Sequence, residues 1–277
     1  MRLVRFEHAG RVGVGVKVAG GVVPTSYADM IALISGEEQL REIAKAADSG
    51  AEVLKDVRVL APIPHPGKML FAGINYSSHA DENPRGVLPQ EPTFFSKLPS
   101  AVIGPGDAIV LPGPEHQVDY EVELAVVIGK TAYRVKADDA LAYVFGYTVV
   151  NDVSSRYIQF KDNQITLGKG FNTFCPMGPE IVLKDEIPDL TKLTVMTHVN
   201  GQRRQYSGTD RMLFSPQLLV EAFSKHVTLY PGDLIATGTP AGVGRWQNPQ
   251  VFLRDGDVVE VGVDAIGTLS NPVVNGW

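Results

Sequence analysis

The chain has 277 residues, 44% of them hydrophobic, a formal net charge of −6 and a single cysteine, Cys175. That length suits one large domain, or a main domain with a smaller appendage, and is enough to bury a substantial core. A mildly acidic chain with mixed charges and no basic stripe is a poor partner for nucleic acid or an anionic membrane. One cysteine excludes an internal disulfide and a cysteine-built zinc site.

Met1 to His8 has no apolar stretch long enough for a signal peptide. The longest apolar runs, such as Leu124 to Gly129, fall far short of the ~20 residues a membrane span needs. A soluble, cytoplasmic protein is expected. Arg11 to Val18 alternates, with Val12, Val14, Val16 and Val18 on one side, and predicts a strand that Gly20-Gly21 turns into Val22-Val23-Pro24. Ser26 is placed to cap a short helix through Ile34, and Glu37 to Ala47 predicts a second, with Leu40, Ile43 and Ala47 on one face. Residues 1–60 are therefore expected to form a small N-terminal α+β domain. In Ala61-Pro62-Ile63-Pro64-His65-Pro66-Gly67 three prolines remove donors and fix φ, which marks a linker before a main domain over 66–277.

Short strands follow between glycines and prolines: Met69–Ala72, Ala101–Ile103, Ile109–Val110, Glu121–Ile128, Val144–Val150, Glu180–Val182, Leu193–Val199, Asp233–Thr237 and Val258–Val263. Two later segments predict helices: Ala137–Tyr143, and Phe214–Lys225 with Ser215 as cap and Pro216 in the first turn. Many strands and few helices exclude a doubly wound nucleotide fold and favour a mainly β sandwich or roll.

Within this frame, Asp119, Glu121 and Glu123 share one face of a strand that then becomes wholly apolar. Carboxylates entering a buried strand repel one another and lose solvation unless protonated or neutralised. A hard divalent cation answers both problems, and a solvated acidic edge strand is the alternative. Val144–Val150 runs into Asn151-Asp152, where Asp152 is either a further carboxylate ligand or a turn cap, with Arg156 and Gln159 following at helical spacing. Over 77–82 a helix would bring His79 and Glu82 together at i and i+3, the pairing a general base needs. The alternative there is a surface helix with a Ser78–Asp81 capping box. The glycine-rich Thr237 to Gly244 can present backbone N–H groups to an anion, and Lys169 stands between Gly168 and Gly170, either near a substrate or merely solvated.

Together these segments resemble the fumarylacetoacetate hydrolase family over roughly residues 66 to 275. The motifs are Gly-x-Asn-Tyr-x-x-His-x-x-Glu at 73–82, Pro-x-x-Phe-x-Lys at 92–97, Asp-Tyr-Glu-x-Glu-Leu at 119–124, Asn-Asp-x-x-x-Arg-x-x-Gln at 151–159 and Gly-Lys-x-Phe-x-Thr-Phe at 168–174. Val199-Asn200-Gly201 with Gln205, Pro231-Gly232-Asp233 and Thr237 to Gly244 complete the set.

The resemblance implies a mixed β-sandwich roll, a homodimer, and one Mg²⁺ or Mn²⁺ per subunit on Glu121, Glu123 and Asp152. It implies that His79 and Glu82, on a mobile lid, deprotonate water and that Lys169 joins them in catalysis. Tyr76, Lys97, Arg156, Gln159, Gly238 and Thr239 are assigned to the substrate, and Asp119 becomes a supporting residue. The implied activity is hydrolytic C–C cleavage of an acylpyruvate or 2,4-diketo acid through a cation-stabilised enolate. Oxaloacetate-type decarboxylation, tautomerisation or isomerisation, and dehydration of 2-oxo acids are alternatives on the same site. A catalytically silent binding protein would have lost a ligand or lid residue, and none is lost here.

Overall fold

The computed structural model describes residues 1–27, 29–36, 52–83, 86–161 and 164–276. The helix expected over 37–47 and two residues of the lid segment, Pro84 and Arg85, lie outside them. Among the described residues one mixed sheet has eleven strands and a second has five. The central strand, Val122–Ile128, is buried at every position, as a β-branched run covered on both faces must be. It runs antiparallel to Val144–Asn151 on one side and to Leu234–Ala236 on the other, and Leu234–Ala236 pairs in parallel with Met69–Ala72.

Alternation along these strands sends side chains into two cores. Leu124, Val126, Tyr147 and Val149 pack with Val195, Val259, Val261 and Leu269 of the five-stranded sheet. Ala125, Val127 and Val150 face Met69, Phe71 and Met177, together with Leu3, Val14, Met30 and Leu33 from the N-terminal segment. Both faces of the large sheet are therefore covered, which is the sandwich expected from the sequence.

The N-terminal residues add to this sheet. Arg2–His8 pairs with Cys175–Leu183 through Leu3 and Ile181, and Arg2 reaches the buried Glu180. The hairpin of Arg11–Val18 and Gly21–Pro24 extends it outward. Chain texture changes at 61–67, but the sheet and its core continue across. The proline segment is itself packed, with Ala61 and Ile63 buried.

Two helices differ from expectation. Met30–Ile34 is capped by Asp29, whose Oδ1 accepts from the Ile31 N–H at 2.8 Å; Ser26 is too far along the chain to reach that first turn. Ala137–Tyr143 is wound as a 3₁₀ helix. Pro216–Ser224 forms as expected, with the Leu218 N–H donating to Ser215 Oγ.

Antiparallel pairing places the start of Val122–Ile128 beside the ends of its neighbours. Glu121 and Glu123 thus meet Asp152, Gly238 and the segment carrying Tyr76 at one edge of the sheet.

Candidate active site

Glu121, Glu123 and Asp152 are all buried, and each offers a carboxylate oxygen within 4.8 Å of the others. Around them Asp119, Lys97, Arg156 and Lys169 are buried as well. Lys169 donates to Glu121 Oε2 at 2.8 Å and to Asp152 Oδ2, with its ammonium 4.8 Å from the Phe95 ring centroid. It is held in place by charge, which rules out the solvated lysine. Asp152 takes Lys97 on its other oxygen at 2.6 Å, and Asn151 accepts from the Glu121 N–H at 3.0 Å, so neither residue of that pair is a simple turn cap.

Four carboxylates against three cations leave one negative charge over, and it falls on Glu123. Its Oε2 accepts from the Gly238 N–H at 2.7 Å. Burial, then the Asp152 and Glu121 carboxylates, push its carboxyl well above the usual range. For Glu121 burial acts in the same direction, but Lys169 and Arg156 outweigh it and hold the group below its ordinary value. Burial opposes the charge of Lys169 too, and Asp152 and Glu121 overcome it, so the ammonium persists. A divalent cation fits this donor set. It takes hard oxygen ligands, supplies the missing positive charge and removes the proton that Glu123 otherwise keeps.

The second half of the site is the helix Ser77–Glu82. His79 Nδ1 lies 2.6 Å from Glu82 Oε1, which leaves Nε2 for chemistry. The Ser78–Asp81 capping box does not form: the helix has no side-chain cap, and Ser78 Oγ instead accepts from the Ala241 N–H at 3.4 Å. Glu82 Oε2 accepts from the Gly242 N–H at 2.8 Å. The loop 238–242 therefore touches Glu123 at one end and Glu82 at the other. Gly238 has φ +88°, and a Cβ there would lie 2.9 Å from Asn75 Cβ, so only glycine lets this backbone reach Glu123.

Other expected residues occupy different places. Lys97 donates to Asp152 Oδ1, to the Val153 carbonyl at 2.9 Å and to the Phe174 carbonyl at 2.6 Å, with its side chain wholly enclosed. All three N–H bonds are spent on the protein, so Lys97 steadies Asp152 in place of meeting a substrate. Arg156 is likewise engaged. Its Nε donates to Asp119 Oδ2 at 2.9 Å, Nη2 lies 2.7 Å from Glu121 Oε1, and Nη1 donates to Gln159 Oε1 at 3.0 Å. It serves the ligand set and orients Gln159. Tyr76 is fully buried and its hydroxyl has no hydrogen-bond partner among the described residues. Burial, then Glu123 and Asp210, raise its phenol, which stays a donor. Thr239 Oγ1 accepts from Gln205 Nε2 at 2.8 Å. Asp119 accepts from the Gly244 and Arg245 N–H groups and from Arg156, the supporting part expected of it.

Sequence reasoning missed the Gly242 N–H on Glu82 and the three Asn75 contacts, Nδ2 donating to the Thr237 carbonyl at 2.7 Å and to the Phe214 carbonyl at 3.0 Å, and Oδ1 accepting from the Phe214 N–H at 2.7 Å. Both residues lie inside recognised motifs, but their partners are 160 and 162 residues away, and spacing carries no signal for that. A cavity of about 1030 Å³ is lined by Tyr147, Asp185 and Met212 among others, and by no residue of this cluster. Chemistry, more than hollow volume, marks the site.

Residues 68–274 match the family described as "Fumarylacetoacetate (FAA) hydrolase C-terminal". The chain is 42% identical to the mitochondrial oxaloacetate tautomerase fahd2 of Xenopus laevis, covering 99% of this chain and 90% of that protein. It is 43% identical to the oxaloacetate tautomerase YisK of Bacillus subtilis, over 91% and 87% of the two chains. Among solved structures, fumarylacetoacetate hydrolase from psychrophilic Exiguobacterium antarcticum superposes with a TM-score of 0.89, at 38% identity over 99% of each chain. The maleylpyruvate hydrolase of Sphingobium sp. SYK-6, in complex with manganese(II) and pyruvate, superposes at 0.84, with 33% identity over the whole of both chains. The chain belongs to the fumarylacetoacetate hydrolase family, whose members matched here are enzymes.

Proposed function

We propose that this chain is a divalent-cation-dependent tautomerase of oxaloacetate-type 2-oxo acids. The observation that carries the reading is the match, across almost the whole chain, to proteins named for that reaction in an amphibian and in a bacterium. The site's own chemistry supports it. Keto–enol exchange breaks one C–H bond beside a carbonyl and forms one O–H bond on that carbonyl's oxygen, with no C–C bond cleaved and no water consumed.

A single base on a closing lid suffices. Glu82 fixes the Nδ1 side of the imidazole, and His79 Nε2 takes the proton from carbon and returns it to oxygen. A divalent cation on Glu121, Glu123 and Asp152 would supply Lewis acidity toward the 2-oxo end of the substrate. The Lys169 ammonium adds fixed positive charge, and the Tyr76 hydroxyl is a buried donor awaiting an oxygen. Mg²⁺ and Mn²⁺ both suit these ligands, and the manganese in the Sphingobium protein favours Mn²⁺ as the first to try.

Hydrolysis of an acylpyruvate, the activity implied by the motifs, is the second reading, and that hydrolase is the finding that favours it. In it His79 would deprotonate water in place of carbon. We also keep the homodimer and a cytoplasmic location within the proposal. No described helix is long and apolar enough to cross a membrane, and the relatives include mitochondrial and bacterial proteins.

The deciding experiment supplies enol-rich oxaloacetate to the Mn²⁺-loaded protein. The loss of enol absorbance is followed beside pyruvate and CO₂ release, and an acylpyruvate panel is run in parallel. Tautomerisation above background without pyruvate formation supports the proposal. Pyruvate released from acylpyruvates, with no effect on the enol, would replace it with the hydrolytic reading.

A further inference from the structure

Gly242 links the lid to the acidic strand, and its orientation is set by a side chain outside every motif described above. The Gly242 carbonyl accepts from Gln247 Nε2 at 2.8 Å and from the Tyr120 hydroxyl at 3.3 Å. Gln247 Nε2 also donates to the Tyr120 hydroxyl at 3.0 Å, while its Oε1 accepts from Arg204 Nη1 at 3.2 Å. Both ends of the amide are engaged, so it cannot flip without opposing Arg204 with a donor and Gly242 with an acceptor.

The backbone is equally constrained. Gly242 has φ +106°, and a Cβ there would lie 2.1 Å from the Arg204 carbonyl, so the peptide is pressed against the strand Gln202–Gly208. Two bonds on the carbonyl side polarise the loop peptide, and on the other side of the same residue its N–H donates to Glu82. Tyr120 lies between the strands Val118–Asp119 and Val122–Ile128, so the network fastens Glu82 to that connecting segment, while the Glu121 carboxylate is held separately by Lys169 and Arg156.

We infer that Gln247 is a positioning residue for the lid: through Gly242 it holds the donor that docks Glu82, and thereby sets the orientation in which His79 meets the substrate. The inference rests on His79 and Glu82 forming the proton-moving pair, and not on which 2-oxo acid is the substrate. Gln247 acts through another residue and touches no reacting atom. Its effect is therefore confined to lid closure, while the bond from Gly238 to Glu123 stays as it is.

The test uses full-length Gln247→Leu with three readouts. Amide exchange of His79 and Ala80, measured without substrate, is expected to accelerate. Mn²⁺ affinity by calorimetric titration is expected to match the parent. The turnover number is expected to fall about three- to tenfold, the worth of one ordinary neutral hydrogen bond, with a smaller change in KM. In a Glu82→Ala background, which removes the acceptor for the Gly242 N–H, the same substitution is expected to add nothing. Unchanged lid exchange, loss of Mn²⁺ affinity in step with turnover, or losses that multiply with Glu82→Ala would each overturn the inference. Should the leucine variant not fold, Tyr120→Phe removes one hydroxyl and is expected to accelerate lid exchange to a lesser degree; no acceleration there would overturn it as well. Exchange and titration need no substrate, so a wrong substrate class leaves this test standing.

Discussion

Glu180 and Asp233 are buried as deeply as Glu123, yet their surroundings are of another kind. Asp233 accepts from the Lys68 and Tyr230 N–H groups at 2.8 and 2.7 Å, and Lys68 Nζ stands 2.7 Å from its Oδ2. Glu180 is paired with Arg2 and with Lys17, the latter at 2.8 Å. These carboxylates are complete within the chain: one closes the turn before Leu234–Ala236, the other fastens the N-terminal strand. Among the described residues Glu123 has two like charges beside it, no ion pair of its own and one backbone donor. A buried carboxylate with its countercharge is architecture, while one without it waits for a cation.

The strongest way to break this contrast is Glu123→Gln, which keeps the shape and removes the charge. Activity is expected to fall at least about a hundredfold with loss of Mn²⁺ binding, while the chelated protein melts no lower than the parent. A chelated variant that unfolds early would place Glu123 with Glu180 and Asp233. Next in size, His79→Ala is expected to lower turnover by about a hundredfold or more and to leave Mn²⁺ affinity intact. A parallel loss of affinity would merge the lid with the ligand set.

On the architectural side, Asp233→Asn is expected to cost about 1–3 kcal/mol in denaturant unfolding, because it strips a part-buried lysine of its partner, with little effect on turnover per folded molecule. The pH dependence sharpens the contrast further. The Glu123 carboxyl is raised in the fold, so its contribution is full below the unfolded carboxylate range and is lost as pH rises through the folded value. Glu121 is depressed, so its contribution is present above that range and lost only as pH falls through its low folded value. Chelated protein should therefore melt lower as pH is raised from about 5 to about 8, and Mn²⁺ should restore more stability at the upper end. A flat profile in scanning calorimetry would contradict the charge count. Smallest of all, Cys175 is buried with its thiol pushed up to about 12, first by burial, and is expected to resist thiol reagents in the native state at pH 8 or so.

Much of the site was legible in the chain because it obeys short periods. Glu123 lies in the strand Val122–Ile128 with Glu121 just before its first residue, two positions apart on extended chain, and His79 and Glu82 share a helix face, whatever the rest of the molecule does. Less was legible where a partner lies far along the chain. Lys97 and Arg156 read as cations for a substrate. They meet Asp152 and Asp119, 55 and 37 residues away, and packing alone decided that. Some strands were invisible for a related reason. Arg2–His8, Gln202–Gly208 and Gly267–Asn275 carry charges, polar runs or a proline, and they become strands because a neighbouring edge offers its hydrogen bonds.

By itself the sequence determined that strands dominate, that one strand is buried on both faces, and that acidic residues stand at its head. Hydrophobic period and residue chemistry are local properties, and they survive without knowledge of the fold. The tertiary structure decided the charge balance: which carboxylates receive a lysine or arginine, and that Glu123 receives none among the described residues. That balance depends on antiparallel register bringing the head of one strand against the tails of its neighbours, and the energy of a buried charge is set by everything within a few ångströms of it.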